Sequence, residues 1–407
     1  MIQLLPESYE AQLNSFMPDL VFVESAWRGK DDKWTNTVHK IPAELKGILA
    51  WAKSHKVPTV FWNKEDPIHF DTFKNVASLF DYVFTYDFNC VQRYKAITGK
   101  DNAFFLPMAV QPQMFNPIEK YERKDAFCFA GSYYRRYVER TKDLDGYIKA
   151  FPAYKPVEIF DRQFGKNDPN YMMPPEYAPY IKGNLPYDQI DKAYKGYTFS
   201  INLNSIKQAN SIARRVFELL ACNTITVSNY SYGVVTGFGD LVITSDNADV
   251  LLGKIKTYAT TPYGLDKLKL LGVRKVFAEN TYTDRFAYVC SKAFGVDLTQ
   301  YKPRVALVAS VGSVSEYEWV KASFERQAYA DKLLIVCSKR GDLGPDVCRT
   351  VNEVLARLGD ADYVGALNAE DYYAEHYLED LVYGFRYAGT EAVGKGAYFV
   401  SKRSGVS

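Results

Sequence analysis

The 407-residue chain is 47% hydrophobic and 24% charged, with a formal net charge of +2. That balance is ordinary for a globular protein and leaves room for two or three domains with cores of their own. So small a net charge excludes capture of nucleic acid by the whole molecule's field, leaving only a local basic patch for such a role.

Aromatic residues make up 15% of the chain, including 32 Tyr and 25 Phe. They suit stacking on carbohydrate or bases, although many sit at core spacing. The six cysteines (Cys90, Cys128, Cys222, Cys290, Cys337 and Cys348) form no CxxC pair and fall mostly in apolar runs, which reads as buried thiols in a reducing compartment. With neither a signal-peptide pattern nor an apolar run of transmembrane length, the expectation is a cytoplasmic protein.

In chain order, short apolar runs at 19–24 (DLVFVE), 59–62 (TVFW), 82–85 (YVFT) and 103–106 predict buried strands. Helical periodicity occupies 43–55, 70–80 and 89–98 between them. Such alternation predicts parallel βαβ units. Pro107, Pro112 and Pro117 then punctuate an extended crossing. Beyond it, AFCFAGS predicts a strand ending in Gly131-Ser132, followed by a basic, polar helix over 134–150 and a strand at 157–160. After a loop rich in Pro, Asn and Tyr, 187–195 reads as helix and 198–203 as strand. A polar loop through Ser211 leads to a short helix at 213–222, a strand at 224–227 and a Ser/Asn/Tyr loop. A strand at 241–243 and helices at 248–258, 265–279 and 283–294 close this block. After Pro303, strands are expected at 304–313, 332–338 and 392–400, with helices at 316–329, 347–358 and 375–387; 361–373 reads as strand then turn. The expected domains are therefore 1–122, 123–298 and 303–407.

Ligands in doubly wound sheets bind beyond the carboxyl ends of strands. That rule selects the loops at Glu24–Gly29, Asn63–His69, Gly131–Arg136 and Asn204–Arg215. The second packs Lys64, Glu65, Asp66 and His69 together, and Asp66-Pro67 there reads as a helix start with Asp66 as the cap. Gly131-Ser132 can bring backbone amides to a diphosphate, but it is neither a GxGxxG fingerprint nor a Walker loop. In the 213–222 helix, Val216, Leu219 and Leu220 mark a buried face. Arg214, Arg215 and Glu218 lie near its start, where arginine suits phosphate and a carboxylate suits ribose hydroxyls. The plain alternative is an Arg214–Glu218 surface pair one turn apart. No HExxH or GxSxG occurs, which speaks against a zincin or an α/β-hydrolase.

FWNKEDPIHF, DYVFTYD, LPMAVQPQMFNP, FAGSYYRR, YIKGNLPYDQI and ARRVFELLACNTITVSNYS stand in the order found in CgeB-like glycosyltransferases. Over about Pro18 to Phe294 the chain resembles that family, which is related to the GT-B group. The resemblance implies an α/β fold of two Rossmann-like domains facing across a cleft. The first presents the acceptor, and the second holds a nucleotide-sugar, perhaps UDP-linked. It further implies a retaining transfer that requires no metal or other cofactor. Glu218 matches the family's acid on the donor ribose, the second glutamate of an E-x7-E pattern whose first position is here Asn210. Arg214 and Arg215 match the cationic element that neutralises the diphosphate. Gly131 and Ser132 match the loop under the phosphates, with Arg135 or Arg136 as a further cation. Glu65 and His69 are then candidates for acceptor positioning or proton handling, with Glu24 behind them. The tail, RVALVASVGSVSEYEWVKASFERQAYADKLLIV and after, resembles a truncated GT-A domain whose acidic turn, Asn368-Ala369-Glu370-Asp371, has lost its first acid. The expected partners are a nucleotide-sugar donor, a glycan, protein or modified nucleic-acid acceptor, and a second copy in a homo-oligomer. A non-catalytic scaffold derived from transferases is the competing expectation.

Overall fold

The computed structural model describes residues 1–298, 302–402 and 405–406. It divides into two compact units, Met1–Asp297 and Leu298–Ser407. The first unit holds two parallel sheets. One is formed by β1 (Val21–Glu24), β2 (Thr59–Asn63), β3 (Tyr82–Thr85) and β4 (Ala103–Phe105), adjacent in that order and all parallel. Helices α1 (Tyr9–Phe16), α2 (Ala43–Ser54), α3 (Phe70–Ala77) and α4 (Cys90–Thr98) accompany it. Every residue of β2 is buried, as expected of a parallel strand covered on both faces. Phe61 packs with Phe73, Val83 and Tyr94 on one face, and Val60 and Trp62 pack with Phe84, Leu106 and Val289 on the other. Helix α1 has no counterpart in the sequence expectations; it buries only Leu13, too little for an apolar stripe to show.

The second sheet contains β5 (Lys124–Gly131), β6 (Val157–Asp161), β7 (Tyr197–Asn202), β8 (Ile225–Ser228) and β9 (Ile243–Thr244), parallel throughout in the order β6-β5-β7-β8-β9. Its helices are α5 (Val138–Ala150), α6 (Asp191–Lys195), α7 (Arg214–Ala221), α8 (Tyr232–Phe238), α9 (Ala248–Thr260), α10 (Gly264–Glu279) and α11 (Tyr282–Phe294). The order reverses at β5, where one crossover runs to β6 on one side and the next to β7 on the other. A doubly wound sheet opens a ligand crevice beyond the strand ends at such a switch point. The α/β class and the plan of two Rossmann-like layers expected from the sequence are those of this unit.

Two helices beside this sheet, α5 and α8, depart from expectation. Helix α5 starts at Val138, four residues late, because Tyr137 N–H closes a turn on Tyr134 O at 3.0 Å. The loop expected after β8 contains α8, whose glycines weaken its helical signal. Gly233 is there because a Cβ would lie 2.5 Å from the carbonyl oxygen of Asn210.

The chain passes between the sheets twice, after β4 and again into α11, which returns Val289 to the first sheet's core. Side chains pin both passages. Lys195, fully buried, donates to Asn116 Oδ1 at 2.8 Å and Ile118 O at 2.9 Å. Arg285 donates to Pro107 O and Met108 O at 2.9 and 3.0 Å. Arg123 forks onto Cys222 O, Tyr197 O and Thr224 Oγ1 at 2.7, 3.0 and 2.8 Å. Arg123→Ala removes all three of these hydrogen bonds and is expected to lower unfolding free energy by about 2–3 kcal/mol. Urea melts check this, with Arg123→Lys expected to recover little because an ammonium cannot reproduce the fork.

The second unit is a three-stranded parallel sheet of β10 (Val305–Ser310), β11 (Lys332–Cys337) and β12 (Tyr363–Ala366), in the order β11-β10-β12. Helices α12 (Val314–Arg326), α13 (Val351–Leu358) and α14 (Tyr377–Ala388) belong to it. The helix expected from 347 begins at Val351 because the backbone of Cys348 pairs with that of Cys337 in a parallel β-bridge, both thiols staying free, and Thr350 caps the helix from its side chain. The strand expected at 392–400 does not form. Gly394 and Gly396 interrupt that run, and glycine gives a strand nothing to pack. Among the described residues, no helix is long and apolar enough to cross a membrane.

Candidate functional site

A cavity of about 360 Å³ opens at the β5/β7 switch point. Its walls come from the segment after β5 (Tyr134, Arg136, Arg140), the end of β7 (Asn202, Leu203, Ser205) and the start of α7 (Arg214, Arg215, Glu218). The three α7 residues singled out from the sequence are thus brought together, and Arg136 joins them. No side chain caps α7, and Ala213, Arg214 and Arg215 at its start, where the helix dipole is positive, line the cavity.

Four arginines line the wall, and Arg140 is the buried one among them. Arg140 is only 4% exposed and makes one hydrogen bond, from Nη1 to Ser132 O at 3.1 Å. Burial, with the like charge of Arg215 beside it, pushes its guanidinium down to about 10. Arg140 Nε, Arg215 Nε and Asn202 Oδ1 are all buried without a hydrogen-bond partner. Buried polar groups are normally paired, so three orphaned atoms around one cavity mark places for a ligand's own groups. Glu218 is 3% exposed and receives Arg214 Nε at 2.8 Å. Burial raises its carboxyl while the two arginines and Tyr194 pull it down. The Arg214–Glu218 contact therefore exists, but its acid sits inside the cavity wall and not on the surface.

The other candidates sit elsewhere. Gly131 and Ser132, at the end of β5, are not among the residues that line the cavity. A Cβ on Gly131 would meet the Phe129 ring at 2.8 Å, so packing within the sheet requires that glycine. Ser132 Oγ accepts Arg162 Nε at 3.1 Å. Arg135 turns away to donate to Met172 O at 3.1 Å. Asn210 is held through its backbone, its N–H donating to Asp87 Oδ2 at 3.1 Å.

On the first sheet, Glu24 pairs with Lys64, and Glu65 N–H donates to Asn63 Oδ1 at 3.0 Å. The His69 ring meets Trp27 edge-on at 5.0 Å between centroids. Neither Glu65 nor His69 lines the cavity. Asp66 is not a helix cap: α3 begins at Phe70 after His69, with no side-chain cap. Instead Asp66 is fully buried, accepting from Thr85 Oγ1 at 2.6 Å, Asn63 Nδ2 at 2.8 Å and Tyr94 Oη at 3.3 Å.

Sequence reading passed over Arg140, Asn202 and Asp87. Arg140 carried a usable signal, since it shares the buried stripe of α5 with Leu144, Tyr147 and Ile148 at i+4, i+7 and i+8. A charge on such a stripe needs a reason. Asp87 carried none, because its partner lies 123 residues away.

Residues 160–291 match a sequence family described as glycosyl transferase-like. That span takes in Asn202, Arg214, Arg215 and Glu218. A glycosyltransferase from Rickettsia africae is similar in structure, with 12% identity over 70% of this chain and 79% of its own, at a TM-score of 0.45. Anabaena HepE, solved with UDP and glucose, has 10% identity over 72% of this chain and 82% of its own, at a TM-score of 0.47. TarM of S. aureus, solved with UDP, has 9% identity over 70% of this chain and 58% of its own, at a TM-score of 0.44. No curated protein sequence matches.

Proposed function

We propose that the chain is a glycosyltransferase that binds a nucleotide-sugar donor in the β5/β7 cavity. The observation that carries this reading is the pair of arginines, Arg140 and Arg215, each with a buried Nε lacking a partner on one cavity wall. A buried and a half-buried guanidinium beside an uncapped helix start are suited to a dianionic diphosphate. Breaking a sugar–phosphate bond builds negative charge on that diphosphate, and cations already fixed in place stabilise it without reorganising. Glu218 is assigned to the ribose hydroxyls and Arg214 to holding that carboxylate in place. Residues 1–122 are assigned the acceptor, with Glu65, His69 and Glu24 as its contacts. The CgeB-like subtype, a retaining and metal-independent course, UDP as the nucleotide and a cytoplasmic setting are parts of the same proposal. Residues 303–407 are read as a shortened GT-A-like module with a structural role.

Isothermal titration against a panel of nucleoside diphosphates tests the donor site. Wild-type protein is expected to bind one of them. Arg215→Ala is expected to weaken that binding by about 10–100-fold, one charge-assisted contact's worth, and Glu218→Ala by about tenfold. Absence of binding, or variants indistinguishable from wild type, would sink the assignment. The scaffold reading is favoured by one observation: at position 210 a backbone clamp stands where the family pattern has an acid. Hydrolysis or transfer from a nucleotide-sugar by the purified chain excludes it.

A further inference from the structure

The loop between β7 and α7 is gripped from two directions. Near its middle, Lys207 Nζ pairs with Asp143 and Asp246 of its own half, both at 3.0 Å. Three residues later the grip passes to the other sheet. Asp87, just past the end of β3 and 1% exposed, accepts the N–H groups of both Asn210 and Ser211 on Oδ2, at 3.1 and 3.2 Å. Its second oxygen takes Asn89 N–H at 3.0 Å, and its own N–H donates to Thr85 Oγ1 at 3.2 Å. The neighbouring Tyr86 hydroxyl lies beside the Ser211 side chain.

We infer that Tyr86 and Asp87 form a latch that positions the donor-binding wall from the opposite sheet. Only Ile212 and Ala213 separate Ser211 from Arg214, so holding residues 210 and 211 fixes where α7 begins and where Arg214 and Arg215 stand. A buried carboxylate accepting two N–H groups is a strong contact. Separation of the sheets must break it or drag the loop along. Asp87 is thus a positioning residue, and the latch links closure of the two layers to assembly of the cationic wall. The consequence for nucleotide rests on the proposed function; the latch itself does not.

Hydrogen exchange on the full chain reads the latch directly, since these amides exchange only when it opens. In Asp87→Ala, the amides of Asn210 and Ser211 are expected to exchange at least about tenfold faster while those of β5 and β7 are unchanged. Tyr86→Phe is expected to give a smaller acceleration at the same two amides. Unchanged exchange at 210 and 211 would overturn the latch. If Asp87→Ala accelerates exchange throughout the chain, the isosteric Asp87→Asn and Tyr86→Phe decide, with selective acceleration supporting the latch and its absence overturning it. Titration with UDP is the second reading. Asp87→Ala is expected to lose about tenfold in affinity and Asp87→Asn to recover part of it. Equal affinity in all three proteins would overturn the positioning role. Failure of the wild type to bind UDP would count against the donor assignment and leave the exchange result to judge the latch.

Discussion

Arg140→Met is expected to make the protein more stable and less able to bind a nucleotide. The folded state holds this guanidinium out of water beside Arg215, with one hydrogen bond for its five donors. Its depression to about 10 measures how strongly the free protein disfavours that charge. Methionine keeps the unbranched stem and removes the charge, and exchanging a poorly compensated buried ion for a hydrophobe commonly stabilises. Losing the bond to Ser132 O offsets part of the gain, so a net increase of about 1–2 kcal/mol is expected from urea melts. Nucleoside diphosphate affinity should fall by about 10–100-fold in the same variant. A stability loss would make Arg140 a structural residue, and retained affinity would remove it from the phosphate site. The two effects moving in opposite directions is what a site retained for binding predicts.

The second large effect concerns Asp66, whose carboxyl is pushed up to about 7 by burial, with the charge of Asp87 adding to it and hydrogen bonds from Thr85 and Tyr94 opposing it. Its folded pKa lies above the unfolded value, so the folded state binds this proton more tightly. The resulting contribution to stability is present in full below about pH 4 and is lost as pH rises toward 7. Between about pH 5 and pH 8 the wild type should lose on the order of 2–3 kcal/mol through this group alone. Asp66→Asn cannot titrate, and the difference between variant and wild type across that window isolates the contribution from other groups. Urea melts of both proteins at the two pH values check it. A constant difference would mean that Asp66 titrates normally.

Much of the first unit was readable without coordinates. TVFW and YVFT are short, mostly apolar runs of the kind a strand covered on both faces accommodates, and the strands β2 and β3 contain them. Arg214, Arg215 and Glu218 read alone as an ordinary surface pair beside an apolar stripe, and the family resemblance made them candidates for a donor site. Where glycine weakened the local signal, as in α8, the reading failed. It failed too where one residue served a partner far away, as with Asp66, which satisfies the logic of a cap in sequence but is used by Thr85 and Tyr94 instead.

The sequence by itself determined the alternation of strands and helices and the loops at the carboxyl ends of the strands. Those depend on periodicity and spacing, which are local properties of the chain. Only the tertiary structure decided that Arg140 belongs to the cavity and that Glu218 is buried there. It also showed that Asp87 grips Asn210 and Ser211 across 123 residues. Burial and charge proximity depend on which strands become neighbours, and the switch point between β5 and β7 sets that.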